Sequence, residues 1–142
     1  MNRGRVRAVA VAVIRRRDEI LVADIPDEVK GITGYRPLGG TIEFGERGDE
    51  TIVRELREEL GAEIVDTRYL GTLENIFEYR GARSHEIVRV YEARFADGAL
   101  YERERFDAVE ERADPFVCVW RSVRTFGAGA PLYPDGLLEL IA

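Results

Sequence analysis

The chain has 142 residues and a formal net charge of −6. That length suits one domain spanning 1–142, and the acidity argues against stable nucleic-acid binding, which usually shows a basic face. A single cysteine excludes an internal disulfide, and a single histidine excludes sites built from several histidines, most zinc centres among them.

Basic residues ahead of an apolar run give the N-terminus the look of a secretion leader. The run is short, however, and leads straight into Arg15-Arg16-Arg17 rather than a cleavage region. No stretch approaches the ~20 apolar residues of a membrane span, so the expected location is cytoplasmic. Val6 to Arg15 is rich in valine and reads as a strand. Arg16 to Glu19 is a polar turn, and Ile20 to Ile25 completes a hairpin. Pro26 to Tyr35, with Gly31 and Gly34, reads as a loop that leads into Gly39 and Gly40.

The next stretch, Gly39 to Ala62, organises the rest. Ile52, Val53, Leu56 and Leu60 recur at helical spacing and mark a buried face. Gly61 suits the left-handed residue that ends a helix. Gly48 or Asp49 is the expected N-cap. Glu55, Glu58 and Glu59 lie three and four residues apart, so they are surface neighbours with Cβ atoms roughly 5–6 Å apart. Each like-charge pair would cost about 0.2–0.5 kcal/mol if nothing intervened. A hard divalent cation would turn that repulsion into attraction, because carboxylate and phosphate oxygens are what Mg²⁺ prefers. Glu43 and Glu46 bring two more carboxylates to the helix entrance, beside glycines that permit close backbone approach.

Beyond the helix, Glu63 to Glu78 reads as one long bent strand or two short ones. Tyr79 to Arg83 is a basic turn, and Glu86 to Phe95 a strand opened by His85. His85 reads as a loop or strand-end residue without a role, the alternative being a substrate contact beside the basic turn. Tyr101 to Asp114 is the most charged segment and reads as a loop or short helix. Phe116 to Trp120 is a short central strand holding Cys118, a buried thiol, and Trp120, a core side chain. A final short helix, Leu137 to Ile141, follows a cap at Asp135 or Gly136. The element order is that of an α+β fold.

Gly40, five residues, Glu46, seven residues, then Arg54-Glu55-Leu56-Arg57-Glu58-Glu59-Leu60-Gly61-Ala62 resembles the Nudix box, G-x5-E-x7-R-E-U-x-E-E-x-G-U with U a bulky apolar residue. Ala62 is smaller than usual for its position. Nudix proteins also often place Pro directly before the two glycines, where this chain has Leu38. The resemblance implies an α/β/α sandwich, with a mixed sheet packed between helices. It implies a Mg²⁺- or Mn²⁺-dependent hydrolase that cleaves a nucleoside diphosphate linked to another group. Carried over, Glu58 and Glu59 are metal ligands, and Glu55 is a ligand or the general base. Arg54 orients the glutamates, and Glu46 and the Gly40 backbone support the metal site. Such enzymes often recruit one more glutamate from a later loop, for which Glu111 and Glu110 are the candidates. Arg36, beside the glycines, is a candidate contact for a substrate phosphate. A nucleotide-derived small molecule is the expected partner, and an exposed strand edge could support a homodimer. The alternative is a Nudix-fold nucleotide-binding or regulatory module with weak or no turnover.

Overall fold

The structure, a computed structural model, describes residues 4–110 and 113–142. Among them, eight strands form one mixed sheet and two α-helices cover its faces, an α+β sandwich. The strands are β1 (Val6–Arg16), β2 (Glu19–Asp27), β3 (Ile32–Arg36), β4 (Leu38–Thr41), β5 (Ile64–Tyr79), β6 (Ala82–Phe95), β7 (Arg105–Glu110) and β8 (Ala113–Ser122). The helices are α1 (Gly48–Leu60) and α2 (Leu137–Ile141). The path through the sheet runs β5-β6-β1-β2-β8-β7, with β4 paired to β1 and β3 to β2. Among the pairs of described strands, only β1–β6 is parallel.

β1 is the spine, and its sequence shows why. Its central residues are buried on both faces, as a strand covered on both sides requires. Ala10, Ala12 and Ile14 turn toward α1 and join Ile52 and Leu56 in one core. Val9, Val11 and Val13 turn the other way and join Leu137 and Ile141 beneath α2. Burying Ile52 and Leu56, both fully covered, contributes about 1.5–3 kcal/mol each.

The β1–β2 hairpin zips only at Arg15↔Ile20 and Arg16↔Glu19. Beyond that point β1 pairs with β4 and β6, while β2 pairs with β3 and β8. The sheet therefore splits into two diverging halves. Asp27 reconnects them at the far end: its carboxylate accepts the backbone N–H groups of Val29 (3.0 Å), Lys30 (3.2 Å) and, across the split, Arg80 (3.0 Å). Asp27 is buried. The Arg80 amide, more than any other contact, holds its pKa below the ordinary carboxylate value.

Several sequence expectations need correction. The region read as a loop, Pro26 to Tyr35, contains β3, whose apolar alternation is interrupted by Gly34. Gly34 is there because Tyr133 packs on it: a Cβ would lie 2.9 Å from Tyr133 Cδ2. The charged segment Tyr101 to Asp114 contains β7, where Phe106 and Ala108 are buried between exposed Arg105, Asp107 and Val109. β6 begins at Ala82, so His85 lies within it rather than at its start. The helix N-cap is Arg47, whose N–H donates to Glu50 Oε1 at 2.8 Å. Gly61 ends α1 as expected, at φ 66°.

Gly39 runs against β1 so closely that a Cβ would sit 2.8 Å from Val11 Cα and 2.9 Å from the Ala10 carbonyl carbon. Backbone cannot swing aside as a side chain can. Gly39→Ala should therefore destabilise the protein by about 1–3 kcal/mol, read as a lower urea midpoint. Burial pushes the Cys118 thiol up to about 12, so thiol reagents at neutral pH should modify it only after unfolding.

Candidate active site

α1 presents its apolar side to the sheet and its carboxylates to a cavity of about 620 Å³ in the split between the two halves. Glu55 and Glu59 line that cavity together with Gly39, Gly40, Glu43, Asp24 and Arg36. Glu59 is 8% exposed. Gly40 makes room for Glu55: a Cβ there would lie 2.5 Å from Glu55 Cδ and 2.9 Å from Oε2. Any larger residue would push the carboxylate out of place.

Arg54 is the hub of this end of the cavity. Its Nε and Nη2 donate to the two oxygens of Glu46 at 2.8 and 2.9 Å, a bidentate pair. Nη1 donates to Glu55 Oε1 at 3.0 Å and to Glu58 Oε2 at 3.3 Å. Nη2 also reaches the Thr41 carbonyl at 3.2 Å, and Glu43 lies 3.7 Å away. One guanidinium thus stands among four carboxylates. It relieves the like-charge repulsion that the helix spacing imposes. Glu46 is further held by Thr51 Oγ1 at 2.7 Å and by the Glu43 amide at 3.2 Å. Arg54 lowers the Glu46 pKa to about 2, its hydrogen bonds being the largest cause, and Glu46 in turn raises Arg54 above its ordinary value.

The candidate residues separate. Glu55 and Glu59 face the cavity together. Glu58 is half exposed, turned to Arg54, and does not line the cavity. Arg36 and Gly40 line it. Glu111, and the side chain of Glu110, lie outside the described residues. Among the described residues no three His, Cys, Asp or Glu side chains converge on one point as a metal would draw them. The donors that do face the cavity are carboxylate oxygens, the chemistry a hard dication takes, and Gly40 leaves the cradle around Glu55 unfilled. The residues fit such an ion at Glu55 and Glu59.

The sequence reading missed the cavity's other wall. Arg7, Asn75, Phe77, Glu86 and Tyr133 line it. Glu86 is 3% exposed and sits 3.7 Å from both Arg7 Nη2 and Arg36 Nη2. A signal existed: Glu86 falls on the same strand face as Val88 and Val90, both fully buried. A charged residue in phase with a core face marks a site or a buried pair. His85 instead meets Glu74, Nε2 to Oε2 at 2.8 Å, away from the lining. Trp120 packs in an aromatic cluster with Phe95, Tyr101 and Phe106 and donates Nε1–H to the Arg103 carbonyl at 2.7 Å.

A lowered carboxylate pKa contributes stability that is present above its unfolded value and lost as pH falls through the folded one. For Glu46 that window runs from 4.5 down to about 2. Side-chain carboxyl NMR should show Glu46 titrating near the lower limit, and Arg54→Met should return its midpoint toward the ordinary value.

A family model for the NUDIX domain matches residues 4–126. The NAD-capped RNA hydrolase NudC of Pseudomonas aeruginosa is 31% identical over 101 residues, which cover 71% of this chain and 33% of that protein. The chain thus spans about one third of the length of such curated relatives. A MutT Nudix hydrolase from Burkholderia pseudomallei shares the fold with a TM-score of 0.69 at 23% identity, over 97% of this chain and 99% of that one. The E. coli ORF135 protein superposes with a TM-score of 0.62 at 28% identity, over 99% and 91% of the two chains. With the box, the split sheet and the carboxylate-lined cavity in place, the chain belongs to the Nudix family.

Proposed function

We propose that the protein is a pyrophosphohydrolase that uses Mg²⁺ or Mn²⁺ to cleave a phosphoanhydride bond in a nucleoside diphosphate linked to another group. The observation that carries this reading is the pairing of Glu55 and Glu59 on one cavity wall, with Arg54 tying Glu55 to Glu46 and Glu58. Glu59 would hold the cation with Glu58 at the rim, and Glu55 would be a further ligand or the general base. When bound, the ion supplies positive charge against the diphosphate oxygens and acidifies water. The proton of the attacking water goes to Glu55, steadied at Oε1 by Arg54, or to a carboxylate of the Tyr101–Asp114 segment. Arg36, 3.7 Å from Glu86, offsets the acidity of the chain where the anion must enter. Gly40 keeps the Glu55 carboxylate in reach of both. Glu111, outside the described residues, is a further candidate ligand. The likeness to NAD-capped RNA hydrolases brings NAD-like dinucleotides into the substrate class, beside nucleotide sugars, ADP-ribose and nucleoside triphosphates. A cytoplasmic location suits such substrates, and among the described residues no helix is long and apolar enough to cross a membrane.

Hydrolysis screens over those compounds and NAD-capped RNA ends, with Mg²⁺ and with Mn²⁺ and products identified by mass, test the reading. Turnover should require the metal and stop with chelator. Glu59→Gln should keep the wild-type melting profile and lose about a hundredfold or more of kcat. Near-wild-type turnover by that variant would remove Glu59 from the metal site. Ligand binding without turnover by the wild-type protein would favour the regulatory module.

A further inference from the structure

Glu86 is a charge in an expensive place. It lies in β6 between β1 and β5, opposite Arg7 and Asn75 in register. A buried carboxylate is normally tied down by short hydrogen bonds. Here both guanidinium contacts, to Arg7 and Arg36, are 3.7 Å long, and Glu86 Oε1, shielded from water, makes no hydrogen bond among the described residues. Arg7 Nε, on the same wall, is likewise buried without one. A native structure that leaves a buried acceptor beside cationic donors, all at the wall of a cavity, calls for a ligand to complete it.

The chemistry of the gap narrows the ligand. A metal ion is disfavoured because two guanidinium groups flank the one carboxylate. A phosphate oxygen would suit the arginines but be repelled by Oε1. A neutral planar edge with an N–H donor beside an acceptor satisfies both sides: the donor bonds Glu86 and the acceptor takes a guanidinium N–H. The 3.7 Å between Glu86 Oε1 and Arg36 Nη2 is too long for a direct hydrogen bond, yet such an edge can span it with two. Nucleobases carry edges of this kind. The same cavity offers aromatic faces for the ring: Phe77 and Tyr133 lie 6.3 Å apart at 29° and both line it.

We propose that Glu86 and Arg36 form the recognition point for a nucleobase edge, with Glu86 accepting a base N–H and the ring lying on the outer face of the stacked Phe77–Tyr133 pair. Glu86 is then a specificity-determining residue. The proposal rests on the nucleotide-hydrolase reading but is tested without turnover. Calorimetry on the full chain without added metal compares matched monophosphates that differ at the edge donor. The pairs are AMP against purine riboside monophosphate, CMP against pyrimidin-2-one riboside monophosphate, and GMP against 1-methyl-GMP. At least one pair should differ about tenfold or more in Kd, the size of a hydrogen bond to a charged group. Glu86→Met, similar in length but without an acceptor, should bring that pair together while leaving its melting profile close to wild type. Equal affinities within every pair, no binding of any monophosphate, or discrimination that survives in Glu86→Met would overturn the proposal. If that variant does not fold, the wild-type pairs decide alone. Base discrimination without hydrolysis of any substrate would overturn the hydrolase reading and keep this one. Hydrolysis without base discrimination would do the reverse.

Discussion

The site depends on one ion pair, Arg54 with Glu46. A single helix turn that carries Glu55, Glu58 and Glu59 beside Glu43 and Glu46 concentrates negative charge where the fold needs tight packing. Arg54 sits at the centre, with its planar fork matched to Glu46 and its remaining N–H groups turned to Glu55 and Glu58. A lysine could supply the charge but not this geometry, because its three donors diverge from one nitrogen. The pair fixes Glu55 at one oxygen and so fixes the entrance of the helix relative to β4. The rest of the cavity wall is built from that reference.

The second constraint is the early parting of β1 and β2. Two residue pairs hold the hairpin, and the strands then serve different halves of the sheet. This lets one continuous sheet carry a cleft without a second domain to close it. The helix carboxylates, the glycines of β4 and Arg36 come from three neighbouring segments of the chain, whereas Glu86, Phe77 and Tyr133 arrive from distant ones. The two groups meet only because the sheet is split.

That difference in origin explains what was legible in the sequence. Most local features were readable: the helical period of Ile52, Leu56 and Leu60, the terminating Gly61, the alternation in β1, and the carboxylate spacing of Glu55 and Glu59, though the N-cap fell on Arg47. The elements that went unread lacked a local signal. β3 is broken by Gly34, whose small size answers to Tyr133 almost a hundred residues later. β7 hides two buried residues among charges, and its strand character comes from pairing with β8. Glu86 looked like one more surface charge, since its meaning depends on β1 lying parallel beside β6. The orientation of Glu58 also could not be read from the helical wheel, because Arg54 decides it.

Asp27 carries a consequence for how wide the cleft can stand. It buckles the two halves together, beside the Arg80–Glu28 ion pair, and its strength is electrical: three amide dipoles aim at one negative charge. Because its folded pKa is depressed, the buckle stays fastened above the ordinary carboxylate value and slips as acid neutralises it. At the hairpin end the split is closed by backbone pairing, with the Arg16–Glu19 ion pair beside it. Neutralising Asp27 therefore removes one of the ties that set the width of the cleft at its far end.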